Sequence, residues 1–426
     1  MMVLLCVSSG WAQPLQWSSL TPIITSAIQQ QVSPSAVAIV GNLTTLFYAE
    51  ALGSFTYGLK PPLNPYNVPV KLATLYDLAS CSKIVGATTA AAFLYQDGLL
   101  DINAKVSHYL GEAFNANGKA NVTVLNCLLH DAGFPPDPSP LYYSPQFGCP
   151  QTLTGKQPLE DFSCQQRIFD SLLNQSLASA PSTQYVYSDL SFITLANVVG
   201  SVAKTHGLIQ ASDLLPECVQ NPSGNATFQC YYEAYTRIMS FPRMGLLSTF
   251  YRPPSYLWQM AAPAENYTAG PYFYGTFQGQ VSDQNAYAMG GVAGHAGIFS
   301  NGVDLVTYAR NWMFNSDHFI SPLSPSTQQL FRTDYQPSFS SRALGFNTCN
   351  PNSPDECWNL SCGTLSASTF MHIGYTGTEI CMDPVRQIFT ILLTNRIYPD
   401  ETHSASSIHT LRSNFNTQVQ KIFDSQ

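Results

Sequence analysis

Three short segments of this chain carry side chains that together could perform acyl transfer. They are Ser80-Cys81-Ser82-Lys83, Tyr187-Ser188-Asp189 and His372-Ile373-Gly374. The first supplies a hydroxyl and an amine, the second a phenol, and the third an imidazole beside a glycine. Because residues i and i+3 share one face of a helix, Ser80 and Lys83 point the same way if their segment is helical. The set predicts nucleophilic catalysis through an acyl intermediate on Ser80.

Each candidate has a chemical role and a simpler structural alternative. A serine hydroxyl becomes a good nucleophile when a base removes its proton, and a lysine with a lowered pKa can be that base. Apolar helical sequence follows Lys83, which predicts that this lysine is buried and therefore needs a function. Tyr187 could relay protons to a leaving group. It could equally be a core tyrosine, with Asp189 capping the helix that begins there.

The third segment is expected to lie on a strand. Glycines at 374 and 377 would let another backbone approach closely. The backbone N–H groups of Tyr375 and Ser80 could then form an oxyanion hole. A single histidine on a strand is more often structural, so a catalytic interpretation of His372 depends on the whole set.

The three segments resemble, in order, the Ser-x-x-Lys, Tyr-x-Asn and Lys-Thr-Gly boxes of class C β-lactamases and penicillin-binding-protein-like serine hydrolases. The resemblance runs from about Pro34 to Phe423 and is closest to the esterase and peptidase branch. Further matching segments are Leu129-His130-Asp131-Ala132-Gly133, Gly290 to Gly297, and Leu393-Thr394-Asn395-Arg396. The resemblance implies these roles: Ser80 as acylated nucleophile, Lys83 as proton acceptor, Tyr187 as second general acid/base, His372 in place of the lysine, and Ser80 and Tyr375 as oxyanion hole.

Two departures from the boxes bear on the substrate. Asp189 replaces an asparagine and His372 replaces a lysine, residues that in the lactamases help to bind a β-lactam's side-chain amide and carboxylate. An aspartate would repel a carboxylate and a neutral histidine would attract it poorly. Esters, lactones or amides are therefore predicted as substrates in preference to β-lactams. Since imidazole titrates near pH 6.5, the rate is expected to depend on pH near neutrality.

Other candidates and hypotheses stay open at this stage. Asp189, Gly374 and the glycine-flanked His295 are predicted to contact substrate, whereas His130 is expected to tie a loop by a hydrogen bond. A catalytically inactive binding protein with the same fold is one alternative function. A disulfide-stapled secreted adhesion protein is another, which the long helices and the lack of repeats disfavour.

The resemblance implies an α+β fold in which an antiparallel sheet flanked by helices lies beside a helical lobe. Residues 1–12 are predicted to be a signal peptide and 13–426 one catalytic domain, with a sheet lobe from about 20–75 and 340–426 and a helical lobe from about 76–340. Periodicity supports two strands near each end of the chain and an amphipathic C-terminal helix. Predicted elements are a helix opened by Thr21 and Pro22, strands Ala36–Val40, Leu46–Leu52, Phe370–Met382 and Gln387–Thr394, and surface insertions at 135–160 and 215–280.

Composition indicates secretion. Charged residues make up 10% of the chain, against roughly 25% in typical soluble domains, and six N-x-S/T sequons could carry glycans instead. The apolar start followed by Gly10-Trp11-Ala12 fits a signal peptidase site. The sequons are Asn42, Asn121, Asn174, Asn225, Asn266 and Asn359.

Cysteines and charge narrow the possible partners. Cys149/Cys164, Cys218/Cys230 and the group Cys349, Cys357, Cys362 are placed for local disulfides, whereas Cys81 and Cys127 are expected to be buried thiols. A net charge of −8 without a basic cluster argues against nucleic acid. No segment predicts membrane insertion, a metal site or a cofactor, so the expected partner is a small-molecule or peptide acyl substrate. Oligomeric state is left open.

Overall fold

The computed structural model describes residues 16–58, 66–149, 162–219, 227–267, 275–348, 361–400 and 405–425. The predicted signal peptide, Cys349, Cys357 and the sequons at Asn225 and Asn359 lie outside the described residues.

Six antiparallel strands form the central sheet, in the order β2-β1-β10-β9-β8-β7. β1 pairs with β2 on one side and with β10 on the other, with Ala36 opposite Thr394. The two ends of the chain therefore complete one sheet, as the sequence pattern predicts. The strands are β1 Ser35–Gly41, β2 Leu46–Gly53, β3 Tyr76–Asp77, β4 Glu265–Tyr267, β5 Gly275–Phe277, β6 Phe299–Ser300, β7 Asn347–Thr348, β8 Phe370–Ile373, β9 Glu379–Asp383 and β10 Ile388–Thr394.

Alternate residues of β1 face two different apolar cores, because successive side chains of a strand point to opposite sides. Val37 and Ile39 belong to the large core shared with the helical part. Ala36, Ala38 and Val40 belong to a smaller core that the first and last helices cover. The sheet is thus buried on both faces.

Helices supply the rest of the architecture. They are α1 Thr21–Gln29, α2 Thr89–Gln96, α3 Val106–Leu110, α4 Val124–Leu129, α5 Gln165–Asn174, α6 Asp189–Thr205, α7 Pro216–Val219, α8 Phe228–Tyr235, α9 Phe241–Arg243, α10 Gln284–Ala288, α11 Gly302–Met313, α12 Pro325–Arg332 and α13 Ala405–Asp424. Short 3-10 turns occupy Trp17–Leu20, Ala79–Cys81, Glu112–Asn115, Lys119–Asn121, Ala211–Asp213 and Ser255–Met260, and π-helical turns occupy Lys83–Thr88 and Thr236–Ser240.

Part of the predicted insertion 215–280 is instead core. In α8, Cys230, Tyr232, Ala234 and Tyr235 are buried, and α8 packs along α6. The many polar residues and turns around this helix obscure its apolar face in the sequence. The prediction of a surface insertion is wrong for α8.

Two predicted element boundaries also change. The segment 370–382 is two strands, β8 and β9, because a tight turn intervenes in which Gly374 N–H donates to Thr378 O and Gly377 has a φ of +96°. Leu20, not Thr21, is the N-cap residue of α1; Thr21 is the first helical residue, and its hydroxyl donates to Glu50.

Three disulfides are present among the described residues. Cys149–Cys164 and Cys218–Cys230 confirm the local pairs predicted from the sequence. Cys362, expected to pair within its own turn-rich segment, instead bonds to Cys381 in β9. Cys81 and Cys127 are buried thiols, as predicted. In the part of the chain that the structure describes, no helix is long and apolar enough to cross a membrane.

Removing the Cys362–Cys381 bridge should lower stability. A disulfide closing a loop of this size restricts the unfolded chain, and its loss typically costs about 3 kcal/mol. We expect the Cys362→Ala/Cys381→Ala protein to lose about that much free energy of unfolding in urea titrations. Cys127→Ala, which removes a buried thiol without a cross-link, is the control; an equal loss in both proteins would contradict the prediction.

Candidate active site

The nucleophile candidate lies in a fixed turn directly after β3. Ser80 is half-buried in the 3-10 turn, and Ala79 before it has a φ of +46°. Left-handed backbone is uncommon for a residue with a side chain and is held only by strong surroundings. Here the buried Asp77 accepts the Ala79 N–H through Oδ1 (2.9 Å) and the Ser282 N–H through Oδ2 (2.9 Å). The turn therefore has little freedom.

Lys83 is fully buried directly beneath Ser80. Its Nζ lies 3.1 Å from Ser80 Oγ, as the spacing of the first segment predicts. The same nitrogen lies 2.8 Å from Asp189 Oδ1 and donates to the backbone carbonyl of His295 at 3.1 Å. The ring of Tyr187 is 4.7 Å from it. Lys83 thus connects two of the three predicted segments directly.

The charge state of Lys83 differs from the sequence expectation. Burial alone lowers its pKa, but the carboxylate of Asp189 and the phenol of Tyr187 outweigh burial, and the net pKa of Lys83 is raised. Lys83 is therefore an ammonium in the resting protein. This direction is opposite to the lowered pKa that the sequence analysis expects for a lysine base, because Asp189, predicted there to contact substrate, is the counter-ion of Lys83.

Tyr187 and Asp189 are positioned by the start of α6. Ser188, not Asp189, is the N-cap residue of that helix; Asp189 is its first helical residue, and its carboxylate contacts Lys83. The Ser188 N–H donates to His130 Nδ1 (3.0 Å), which confirms that His130 ties this loop. The ring of His130 packs against that of Tyr187 at an interplanar angle of 30°, with centroids 4.6 Å apart. The phenol is thereby held against the nucleophile turn.

His372 is the last residue but one of β8 and is 3% exposed. Its Nδ1 donates to the carbonyl of Ile373 at 2.8 Å, so the neutral ring carries its lone pair on Nε2. That atom has no hydrogen-bond partner among the described residues. Burial, followed by the charges of Arg342 and Lys83, lowers the pKa of His372 well below its ordinary value. This direction is opposite to the titration near neutrality that the sequence analysis expects for His372.

Gly374 lets β8 approach the nucleophile turn. A Cβ at this position would lie 2.4 Å from the carbonyl oxygen of Leu78, so no other residue fits without displacement. The turn that begins here carries Tyr375, the second predicted oxyanion donor, to the mouth of the cleft, where its side chain is 56% exposed. Gly374 thus allows β8 to contact the nucleophile turn, and it also lines the cleft.

Two cavities meet at the nucleophile and share Ser80, Tyr187 and Tyr375 in their walls. The first, about 340 Å³, is called the arginine-lined cavity because Arg342, Arg396 and Arg412 line it together with His372. The second, about 570 Å³, is called the acidic cavity because its walls include the carboxylates of Asp137, Asp189, Glu265 and Asp283. Ser80 therefore lies between regions of opposite charge.

Sequence reasoning missed the arginines. Arg342 is 3% exposed and donates to the hydroxyl of Tyr185 at 2.5 Å. Arg396 donates to the carbonyl of Tyr375 at 2.7 Å and lies over its ring. Arg342 precedes β7 and carries no local motif, so only the pairing of β7 with β8 brings it to the site. Arg396 belongs to the segment Leu393-Thr394-Asn395-Arg396, which resembles the family. That resemblance could have predicted that Arg396 lies near the site.

His295 lies behind the cleft wall. It is 1% exposed, its Nε2 is 3.0 Å from Asp283 Oδ1, and it is not among the residues that line either cavity. Burial alone lowers the pKa of His295, but Asp189 and Asp283 outweigh it and the net pKa is raised. Its position supports a role in holding Asp283 and Lys83 and gives no support to the predicted substrate contact.

Asp189, Asp283 and His295 place one possible metal-ligand atom each within 4.8 Å of one another. Both carboxylates already contact a basic group of the protein, Lys83 for Asp189 and His295 for Asp283. We assign no metal to this group.

Comparison with known proteins defines the family. The family model described as Beta-lactamase matches residues 23–411, and the chain belongs to that family. A protein of Escherichia coli strain K12, named "Putative D-alanyl-D-alanine carboxypeptidase", is 26% identical over 87% of this chain and 80% of its own length. A Salmonella enteritidis protein with the same name is 24% identical over 76% of this chain and 69% of its own.

Solved structures show the same fold at low identity. EstCE1, a hydrolase with promiscuous acyltransferase activity, superposes with a TM-score of 0.65 at 15% identity over 94% of this chain and 98% of its own. A class C β-lactamase from Rhodobacter sphaeroides gives 0.62 at 16% over 95% and 99%. The β-lactamase/transpeptidase-like fold predicted from the three segments is confirmed, and the chain is a serine hydrolase of this family.

We expect Lys83→Met to lose most of its activity because the ammonium charge beside Ser80 is removed, and not because the protein fails to fold. Proton-transfer and charge-stabilising groups of this kind typically contribute about 10²–10⁴-fold, so we expect a loss in that range for p-nitrophenyl butyrate turnover. Lys119→Met is the matched control, because Lys119 is a second buried lysine, 1% exposed, that donates to Ala116 and Gln175 carbonyls away from the cleft. Equal losses in both proteins, with equal falls in melting temperature, would contradict the assignment.

The lowered pKa of His372 fixes the direction of the pH dependence. The neutral ring persists as pH falls through 6.5, the ordinary imidazole value, and its Nε2 lone pair is lost only in stronger acid. We expect kcat/KM to stay level from about pH 6 to 8 and to decline below that range. His206→Gln, at an exposed histidine, should leave the profile unchanged. An inflection near neutrality that disappears in His372→Gln would refute this expectation.

Proposed function

We propose that the protein is a secreted serine hydrolase that cleaves an ester or amide through an acyl-enzyme on Ser80. The observation that carries the proposal is the contact of Ser80 Oγ with Lys83 Nζ at 3.1 Å, at the junction of two cavities. Few roles other than catalysis explain a fully buried ammonium beneath a half-exposed hydroxyl.

The reaction follows from the charges. As the bond between Ser80 Oγ and the acyl carbon forms, the hydroxyl proton must leave Ser80. Lys83 is already an ammonium, so we propose that Tyr187, which shares both cavities with Ser80, relays the proton: the phenol oxygen takes the Ser80 proton while its own O–H proton passes to the leaving atom. The Lys83 charge stabilises the developing oxyanion of Ser80, and the N–H groups of Ser80 and Tyr375 are proposed to hold the carbonyl oxygen. The protonated leaving oxygen or nitrogen departs as its bond to the acyl carbon breaks. Water then attacks the ester, and one of its protons returns to Ser80 Oγ as the ester bond breaks and the free acid forms.

The arginine-lined cavity supports an acyl donor whose leaving group carries a carboxylate, since arginine binds carboxylates in a fixed geometry. The relatives named as D-alanyl-D-alanine carboxypeptidases agree with a D-peptidase-like activity. The repulsion expected between Asp189 and a carboxylate is removed by Lys83. The case against β-lactams as main substrates now rests on a different property: an aspartate cannot donate the hydrogen bond that the family's asparagine offers to their side-chain amide.

An inactive binding protein remains the second candidate, and the intact Ser80–Lys83–Asp189 contacts count against it. A binder would gain nothing from burying an ion pair, which is costly to desolvate.

Three disulfides agree with an oxidising compartment, as secretion requires. Among the sequons, Asn174 is exposed at the end of α5 and is accessible for a glycan.

Intact mass spectrometry tests this function. Wild-type protein and Ser80→Ala are exposed briefly to p-nitrophenyl butyrate, to N-acetyl-D-Ala-D-Ala and, separately, to a penicillin. We expect an acyl adduct on the wild type only, with faster turnover of the first two reagents than of the penicillin. An equal adduct on Ser80→Ala would show that another residue is acylated and would overturn the assignment of Ser80, whereas no adduct and no turnover with any reagent would favour the inactive binder.

A further inference from the structure

Arg412 holds the turn between β8 and β9 from the side of α13. It is 2% exposed, and its Nη2 donates to the carbonyl oxygen of Gly374 at 2.8 Å and to that of Thr378 at 2.9 Å. Two backbone bonds close the same turn, from Gly377 N–H to the Gly374 oxygen and from Gly374 N–H to the Thr378 oxygen. One guanidinium therefore fixes both ends of the turn that contains Tyr375.

The opposite side of this turn is tied to the strand that leads to the nucleophile. The hydroxyl of Thr376 donates to the carbonyl of Asp77 at 2.7 Å, and the hydroxyl of Thr378 donates to the carbonyl of Leu78 at 2.8 Å. Asp77 and Leu78 directly precede the 3-10 turn that carries Ser80. The β8–β9 turn is thus held between α13 and the segment of the nucleophile.

The carbonyl of Gly374 and the N–H of Tyr375 belong to one peptide group. This peptide bond is trans, and a trans peptide group is planar, so its C=O and its N–H point in opposite directions. Because Arg412 fixes the direction of the carbonyl, it also fixes the direction of the N–H. A cation on the carbonyl oxygen further polarises the group and makes the N–H a stronger donor.

Arg412 also lines the arginine-lined cavity, where it could instead serve to bind an acidic substrate. Its contacts favour the role in the turn. The Nη2 group already serves two backbone carbonyls, and the Nε lies 3.8 Å from Glu379, a carboxylate that is itself fully buried. An arginine held in this way has its charge balanced by the protein.

We propose that Arg412 is a positioning residue that orients the N–H of Tyr375 toward the oxyanion of the reaction. This inference rests on the proposed function, because it assumes that Ser80 is acylated and that this N–H receives the carbonyl oxygen. An oxyanion forms both when Ser80 attacks the substrate and when water attacks the acyl-enzyme. Arg412 therefore supports both steps without touching the substrate.

Steady-state kinetics with p-nitrophenyl butyrate test the proposal, because this ester has no carboxylate that Arg412 could bind. Arg412→Met alone would leave Glu379 buried without its partner, so the test protein is Arg412→Met/Glu379→Gln and the reference is Glu379→Gln. We expect kcat to fall about 10- to 100-fold, less than for complete loss of an oxyanion donor. KM should change less than about twofold, since the lost interaction acts in the transition state.

Inhibition by butylboronic acid gives a second readout. Ser80 Oγ bonds to boron with release of the hydroxyl proton, and the tetrahedral adduct places an oxygen where the oxyanion forms. We expect the affinity for this inhibitor to fall in parallel with kcat. Arg412→Lys, which keeps a cation at the turn, should recover part of both losses.

Arg386→Met is the matched control. Arg386 also joins the sheet region to α13, through Asp383 and Asp424, but it lines neither cavity. An unchanged kcat in the double variant, a loss confined to KM, or an equal loss in Arg386→Met would overturn the proposal. Failure of the proposed function would be seen separately, as a wild-type protein that forms no acyl adduct, and the role of Arg412 would then be rejected with it.

Discussion

The buried contact between Lys83 and Asp189 organises the active site. Removing two charges from water costs several kcal/mol, and only close geometry with further hydrogen bonds compensates for it. The protein provides both, at 2.8 Å and with the His295 carbonyl as an additional acceptor. Asp189 also lies in the first turn of α6, where the helix dipole favours a negative charge. The nucleophile turn and the long helix are thereby locked together.

The sheet holds the other half of the cleft. The absence of a side chain at Gly374 brings β8 against Leu78, and Arg412 of α13 donates to the carbonyls of Gly374 and Thr378. Arg412 also faces Glu379, 3.8 Å away, whose pKa burial raises to about 7. The C-terminal helix therefore supports the turn that presents Tyr375.

Much of this arrangement could be predicted from the sequence because it depends on local spacing. The three-residue separation of Ser80 and Lys83 predicts their contact. The apolar runs near the two ends of the chain predict the shared sheet. Features that depend on tertiary contacts could not be predicted from the sequence. The pairing of Lys83 with Asp189 reverses the expected pKa shift of the lysine. The arginines reach the cleft only through strand pairing and the packing of α13, and Cys362 finds its partner across the fold rather than nearby.

The strand order has a consequence for how the chain is made. β1 needs β10 as a neighbour, and Ala36 pairs with Thr394, so almost the whole chain must be synthesised before the sheet can close. Until then one edge of the apolar β1 lacks its strand, which is an aggregation hazard. Pairings so distant in sequence also form slowly. The hydrogen-bonding edge of β1 is thus the surface that a folding chaperone would have most reason to cover during synthesis.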